Sequence, residues 1–144
     1  MRILLLKVIF RRKTLFIYIP LTVHWITIFI LTSIPGDSLP EFALDDKLKH
    51  FIAYLVLSLF LTITLRVQER YQNLRNHYIK FAFIITIIYS TFDEIHQVFI
   101  PGRSAELLDW IANLLGIILG IYAAHRLIQK SGALNLVKVG TESE

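Results

Sequence analysis

Hydrophobic residues of this chain come in long blocks separated by short polar connections, unlike the regular alternation of apolar and polar positions in a soluble helix or strand. Four blocks cover about residues 14–34, 48–65, 81–100 and 107–127. Each is close to the roughly 20 residues that a helix needs to cross a bilayer. The pattern therefore predicts an all-α membrane protein, built as a four-transmembrane-helix bundle.

The composition narrows the architecture further. Hydrophobic residues make up 55% of the 144 residues, which leaves room for a single membrane domain over 1–144 and no additional soluble domain. We expect the first block to be a retained span, because no small-residue cleavage site of a signal peptide precedes Pro35. The 66–80 connection is expected to be partly helical, and the tail after residue 130 to be frayed. The absence of cysteine excludes disulfides, thiolate ligands and a cysteine nucleophile.

Basic residues are unequally divided between the two sides of the predicted bundle. Twelve Lys and Arg fall on the side of both termini and the 66–80 connection, whereas only Lys47, Lys49 and Arg103 fall on the other side. Since short cytoplasmic flanks accumulate Lys and Arg, both termini are expected in the cytoplasm of a bacterial plasma membrane. The formal charge of +4 has this topological explanation, and no nucleic-acid partner is expected because the chain has no basic patch interleaved with aromatic residues.

Ionisable and amide side chains interrupt the apolar blocks near the outer side. A charged group at bilayer depth costs about 2.5 to 3.5 kcal/mol, so such groups are usually paired, face a wet cavity and serve a function. Helical spacings of three and four place them on shared faces. We predict that they converge on one outward-facing pocket, and the candidates are Asp46, Lys47, His50, Tyr54, Asp93, Glu94, Gln97, Arg103, Asp109 and Asn113.

Two kinds of chemistry are predicted for this pocket. A histidine beside carboxylates titrates near neutral pH and suits general acid or base catalysis, so the candidate catalytic residues are His50, Asp93, Glu94 and Asp109. Cationic side chains suit phosphate or carboxylate groups. The candidate substrate-binding residues are Asp46, Lys47, Tyr54, Gln97, Arg103 and Asn113. The expected partner is a membrane lipid or a lipid-linked anionic substrate.

Alternative interpretations use the same residues differently. The charged groups could be structural ion pairs that hold helix ends together. A site for a hard metal ion is chemically feasible, with ligands from Asp46, His50, Asp93, Glu94 and Asp109. The spacings of these residues match no recognised ligand motif, so neither a metal nor another cofactor is predicted.

Small residues recur every four positions in the last block, at Ala112, Gly116 and Gly120. This spacing favours close helix packing, more within the chain than between copies. Two other functions stay open: a non-catalytic interaction or assembly protein that docks through this stripe, and a proton-coupled transporter.

Three polar motifs together resemble the VanZ-like family of small bacterial membrane proteins, named after a protein associated with resistance to the glycopeptide teicoplanin. They are Asp46-Lys47-x-x-His50-Phe51-x-x-Tyr54, Asp93-Glu94-x-x-Gln97-x-x-x-Pro101-Gly102-Arg103-Ser104 and Asp109-x-x-x-Asn113-x-x-Gly116-x-x-x-Gly120. The resemblance implies a multi-span bundle, a link to the cell envelope and a connection to glycopeptide resistance. It supplies no reaction, so whether the protein is an enzyme stays open.

Overall fold

A computed structural model describes residues 12–38 and 46–130, and the described chain contains helices and no strands. The frayed tail predicted after residue 130 lies outside the described residues. The first helix starts with a π-helical turn, Thr14–Tyr18, and continues as an α-helix. The helices are α1 (Thr14–Ser33), α2 (Asp46–Val67), the short α3 (Gln72–Asn76), α4 (Tyr78–Gln97) and α5 (Leu107–Lys130).

Three of the described helices, α1, α2 and α5, are long and apolar enough to cross a membrane. The span predicted at 81–100 corresponds to α4, which has 20 residues but carries Lys80, Asp93 and Glu94 and does not belong to this apolar set. The all-helical prediction is confirmed, and the count of four spans is not. Helix α4 also ends earlier than predicted, because the chain tightens into turns before Pro101, with Phe99 N donating to His96 O at 3.0 Å.

Helices α2 and α5 run parallel and form the tightest contact of the bundle. A Cβ atom added to Gly116 would lie 2.3 Å from the carbonyl oxygen of Phe51. One added to Gly120 would lie 2.1 Å from Ser58 Oγ and 2.3 Å from the carbonyl oxygen of Leu55. The absence of side chains at these two positions lets the helix backbones approach closely. The small-residue stripe therefore packs within the chain, as predicted.

The remaining long helices complete the bundle around this pair. Helix α4 lies antiparallel to α5, with Glu94 bonded to Asn113 at one end and Tyr78 bonded to His125 at the other. Helix α1 is peripheral. In its most apolar stretch 17% of the residues are buried, whereas in that of α5 44% are buried. Its large exposed side chains, including Val23, Ile26, Phe29 and Ile30, suit contact with lipid.

A turn between α4 and α5 holds the end of α1 in place. Gly36 N donates to the carbonyl oxygen of Pro101 at 3.0 Å, and Gly102 adopts a left-handed backbone with φ of 70°. A Cβ atom at Gly36 would lie 2.1 Å from the carbonyl oxygen of Gly102, so the two chain segments touch through their backbones. This contact fixes the turn beside the polar end of α2 and α5.

Candidate functional site

The first turns of α2 and α5 and the last turns of α4 meet at one end of the bundle. Seven polar or ionisable side chains are buried there: His50, Tyr54, Asp93, Glu94, Gln97, Asp109 and Asn113. Because α4 runs antiparallel to its two neighbours, its C-terminal end joins their N-terminal ends. The predicted convergence of these residues on one region of the bundle matches the structure, and the chemical roles assigned to them stay predictions.

Asn113 lies at the centre of the cluster and bonds to both neighbouring helices. Its Nδ2 donates to Glu94 Oε1 at 2.9 Å, and its Oδ1 lies 3.1 Å from His50 Nδ1. Since the amide nitrogen donates to the carboxylate, the amide oxygen is left to accept a hydrogen bond from the N–H at His50 Nδ1. His50 Nδ1 is also 3.5 Å from Glu94 Oε1. The ring orientation is therefore fixed, and in the neutral ring the lone pair is on Nε2.

A direct hydrogen bond joins α2 and α4 one helical turn farther along α2. The hydroxyl of Tyr54 donates to Asp93 Oδ2 at 2.9 Å, and both side chains are almost fully buried. A hydrogen bond to a buried carboxylate offsets part of the cost of removing it from water. Tyr54 thereby positions Asp93 beside the group formed by His50, Asn113 and Glu94.

Several buried polar atoms of this region have no hydrogen-bond partner among the described residues. They include Glu94 Oε2, Gln97 Nε2, Ser90 Oγ and Asp109 Oδ1. Each such atom costs about 1 to 3 kcal/mol, and native proteins retain few of them. Ser90 was not predicted as a site residue, because one hydroxyl in an apolar helix gives no signal by type or spacing. Its complete burial beside the cluster is visible only in the structure.

The rim of the cluster carries a charged network. Lys47 Nζ donates to Glu106 Oε2 at 3.0 Å and lies 3.3 Å from Asp109 Oδ1. Lys49 Nζ lies 3.5 Å from Asp46 Oδ1. Glu106 was not among the predicted residues, although its position three residues before Asp109 is a usable signal for a shared face. One ligand atom each of Asp46, His50 and Asp109 also lies within 4.8 Å of the others, a geometry suited to a metal ion.

An apolar groove of about 280 Å³ runs between α4 and α5 and extends to Glu94. Trp110 Nε1 donates to Thr91 Oγ1 across the same interface at 3.1 Å. The sequence did not indicate this groove, because exposed apolar residues on a membrane helix have the same appearance whether they face lipid or a cleft. Its lining comprises Thr91, Glu94, Ile95, Val98, Phe99, Ala105, Glu106, Leu107 and Trp110.

Arg103 does not join the buried cluster. Its Nη2 donates to the carbonyl oxygen of Leu31 at 3.1 Å, and its Nε donates to that of Ile34 at 3.4 Å. Cationic side chains commonly satisfy the free carbonyl groups at the C-terminal end of a helix. The structure thus gives Arg103 a capping contact with α1, while its predicted role in substrate binding stays untested.

The buried cluster supports proton transfer more directly than it supports anion binding. Asn113 holds His50 and Glu94 with Nδ1 and Oε1 3.5 Å apart, a separation that a small side-chain movement or one bridging water closes for proton transfer. Lys47 already forms ion pairs with Glu106 and Asp109. An anionic group would therefore meet several carboxylates at this end of the bundle.

The fold and the cluster together define a small all-helical protein with three helices fit to span a membrane and a buried histidine–carboxylate site. The chain belongs to the VanZ/LLP1 family, whose model matches residues 3–129. The match covers most of the chain and confirms the resemblance drawn from the polar motifs. Comparisons with curated proteins and with solved structures gave no match.

Proposed function

We propose that this protein is a bacterial plasma-membrane protein that binds or modifies an anionic envelope lipid or a lipid-linked cell-wall precursor at the buried cluster. The observation that carries the proposal is that an apolar groove extends to a buried carboxylate, Glu94, with an oxygen that has no hydrogen-bond partner. Apolar walls suit a hydrocarbon chain, and convergent polar groups suit the chemistry of a headgroup. A lipid combines these two parts in one molecule.

The membrane topology in this proposal treats α4 as a fourth crossing. Its 20 residues give a helix of about 30 Å, enough for the hydrocarbon core. Asp93 and Glu94 are buried against α2 and α5, which reduces the cost of placing carboxylates at that depth. With both termini in the cytoplasm, as the Lys and Arg distribution favours, the cluster lies on the side of the outer leaflet.

Individual residues have distinct roles in the proposal. His50 and Glu94 form the proton-transfer pair, and Asn113 is the positioning residue that holds them together. Lys47 is the basic side chain nearest to the cluster, but it is already paired with Glu106 and Asp109. Arg103 is directed toward carbonyl groups of α1. Action on a lipid-linked precursor also agrees with the connection to glycopeptide resistance that the family resemblance implies.

The test is a profile of membrane lipids and lipid-linked cell-wall precursors from bacteria with and without the protein. The wild-type protein is compared with Glu94→Gln, which removes the charge but keeps the size of the side chain. Glu69→Gln is the matched control, because Glu69 is an exposed carboxylate paired with Lys13 far from the cluster. All three proteins are brought to equal abundance in the membrane.

We expect the wild type and Glu69→Gln to change the level of one anionic lipid class or to retain it on purification. Glu94→Gln is expected to lose that effect. The proposal fails if the wild type changes no lipid and retains none, or if Glu94→Gln acts like the wild type.

A further inference from the structure

Carboxyl groups outnumber basic side chains among the described residues at the polar end of the bundle. Asp93 and Glu94 are buried on α4, and Asp46, Glu106 and Asp109 surround the first turns of α2 and α5. Lys47 already contacts two of these carboxylates. An anionic headgroup at this end would therefore be repelled unless further positive charge is present.

We propose that Asp46, His50 and Asp109 form a binding site for a divalent transition-metal cation. A carboxylate oxygen of each aspartate and one imidazole nitrogen lie within 4.8 Å of one another. Zinc binds such donors at about 2.0 to 2.2 Å, so the donors around one ion are separated by about 3 to 4 Å. The observed arrangement reaches this geometry through small side-chain adjustments at the start of two adjacent helices.

The hydrogen bonding of His50 is an independent observation that points to a ligand. A metal-binding histidine usually donates its second ring N–H to an oxygen acceptor that fixes the ring. In this protein Nδ1 makes that bond to Asn113 Oδ1, and Glu94 Oε1 lies close to the same atom. The other nitrogen, Nε2, then carries the lone pair that a cation requires.

Asp109 gives a second such observation. Its side chain is only 5% exposed, and Oδ1 accepts no aligned hydrogen bond although Lys47 Nζ is 3.3 Å away. A bound metal ion would strongly stabilise a carboxylate that is buried and accepts no hydrogen bond at one oxygen. The ammonium group of Lys47 and a bound cation would both attract Asp109, so Lys47 is expected to weaken cation binding.

The donor types decide which cation fits best. Two carboxylates and one imidazole suit Zn²⁺ or Mn²⁺, whereas Mg²⁺ and Ca²⁺ prefer oxygen ligands throughout. Three protein ligands leave a coordination position open in a zinc site. A phosphate oxygen is a suitable occupant of that position, and this part of the inference rests on the proposed function. When His50 binds the cation, Glu94 is the member of the proton-transfer pair that still acts on the substrate.

The direct test titrates Zn²⁺ and Mn²⁺ into chelator-treated, detergent-purified protein by calorimetry, with the electron paramagnetic resonance of Mn²⁺ as a second readout. We expect one saturable site, and affinity at least about tenfold lower in Asp109→Asn and His50→Gln. Asp37→Asn and His77→Gln are the matched controls, with exposed side chains outside the cluster, and are expected to bind like the wild type.

Two more variants keep the test decisive if a buried substitution prevents folding. Asp46→Asn changes an exposed ligand at the start of α2 and is expected to weaken binding while the protein stays folded. Lys47→Gln is expected to strengthen binding severalfold, because it removes a competing charge. The inference is overturned if the wild type has no saturable site, if Asp46→Asn binds like the wild type, or if Lys47→Gln abolishes binding.

A lipid experiment separates this inference from the proposed function. Phosphatidylglycerol binding is measured in nanodiscs with Zn²⁺ and with a chelator, and free inorganic phosphate is tested in parallel as the alternative source of the same headgroup chemistry. We expect Zn²⁺ to strengthen phosphatidylglycerol binding. Zn²⁺ binding without lipid binding supports the cation site and contradicts the proposed function, whereas lipid binding that ignores the chelator and Asp109→Asn contradicts the placement of the phosphate on the cation.

Discussion

Helix α5 has two neighbours, and the two contacts differ in kind. On the side of α2, Gly116 and Gly120 let the backbones touch, and a single added carbon atom would collide with carbonyl oxygens. On the side of α4, the contact leaves a groove of about 280 Å³ and a carboxylate with an unpartnered oxygen. Asn113 belongs to both sides, because it bonds His50 on α2 and Glu94 on α4.

This difference separates residues that maintain the fold from residues that are available for chemistry. Close packing against α2 holds the first turns of both helices in register, so His50 and Asn113 meet at a fixed distance. The looser contact with α4 keeps space next to Glu94. Substitutions on the α2 side should therefore mainly change stability, and substitutions on the α4 side should mainly change binding.

The largest loss of stability is expected from Gly120→Val. Even the Cβ atom would lie 2.1 Å from Ser58 Oγ and 2.3 Å from the carbonyl oxygen of Leu55, so α2 and α5 must separate. Overpacking typically costs about 1 to 3 kcal/mol and sometimes more, and two backbones in contact have little room to adjust. Thermal unfolding in detergent, followed by circular dichroism, should show a large fall in Tm or no folded protein.

The control for this prediction is Leu119→Phe, which adds bulk at an exposed neighbouring position of α5. Its Tm should stay close to that of the wild type. Equal Tm values for Gly120→Val and the wild type would show that the α2–α5 contact is looser than the structure indicates.

An intermediate effect is expected from Asn113→Leu, which replaces the amide with an apolar side chain of similar size. The change removes both hydrogen bonds and leaves Glu94 Oε1 and His50 Nδ1 without this partner. Each buried group left unpaired costs about 1 to 3 kcal/mol. The free energy of unfolding, measured by chemical denaturation, should fall accordingly, and the lipid effect should be lost as well.

Gln129→Leu is the matched control, because it removes an exposed amide at the far end of the same helix. It should change the free energy of unfolding by less than about 0.5 kcal/mol. The role given to Asn113 would be contradicted by a protein of full stability that still retains lipid.

The opposite half of the bundle helps to rank the alternative functions. Thr62 donates to the carbonyl oxygen of Ser58, and Thr86 donates to that of Ala82, so these buried hydroxyl groups are satisfied within their own helices. They provide no continuous ionisable path of the kind that a proton-coupled transporter uses. The small-residue stripe is covered by α2, which leaves an interaction protein without the docking surface first considered for it.

Much of the fold could be predicted because lipid imposes a simple length rule. The block predicted at 107–127 corresponds to α5 at Leu107–Lys130, and the stripe at Gly116 and Gly120 packs within the chain as expected. The span predicted at 81–100 is not among the three strongly apolar helices, because Lys80, Asp93 and Glu94 lower the apolar character of α4. Burial of the two carboxylates depends on contacts with other helices, which hydropathy does not report.

The sequence predicted which residues come together at the site better than it predicted the contacts that each one makes. The four-residue spacing placed His50 and Tyr54 on one face of α2. Because successive spans cross the membrane in alternating directions, these residues were predicted at the same depth as Glu94 and Asn113. Arg103 was also assigned to that depth, but the direction of a loop side chain depends on the turn geometry. The Pro101–Gly102 turn places it against the end of α1 instead.

The smallest change in stability, and the clearest test of the α4 side, is expected from Ile95→Trp. Ile95 lines the groove and is exposed, so the larger ring should fill the groove and change the free energy of unfolding by less than about 0.5 kcal/mol. Lipid retained on purification, counted by native mass spectrometry, should fall sharply. Ile88→Trp places the same ring two turns earlier on α4, outside the groove lining, and should retain lipid like the wild type. Equal retention by the two variants would mean that the space beside Glu94 is a packing defect and that lipid binds elsewhere.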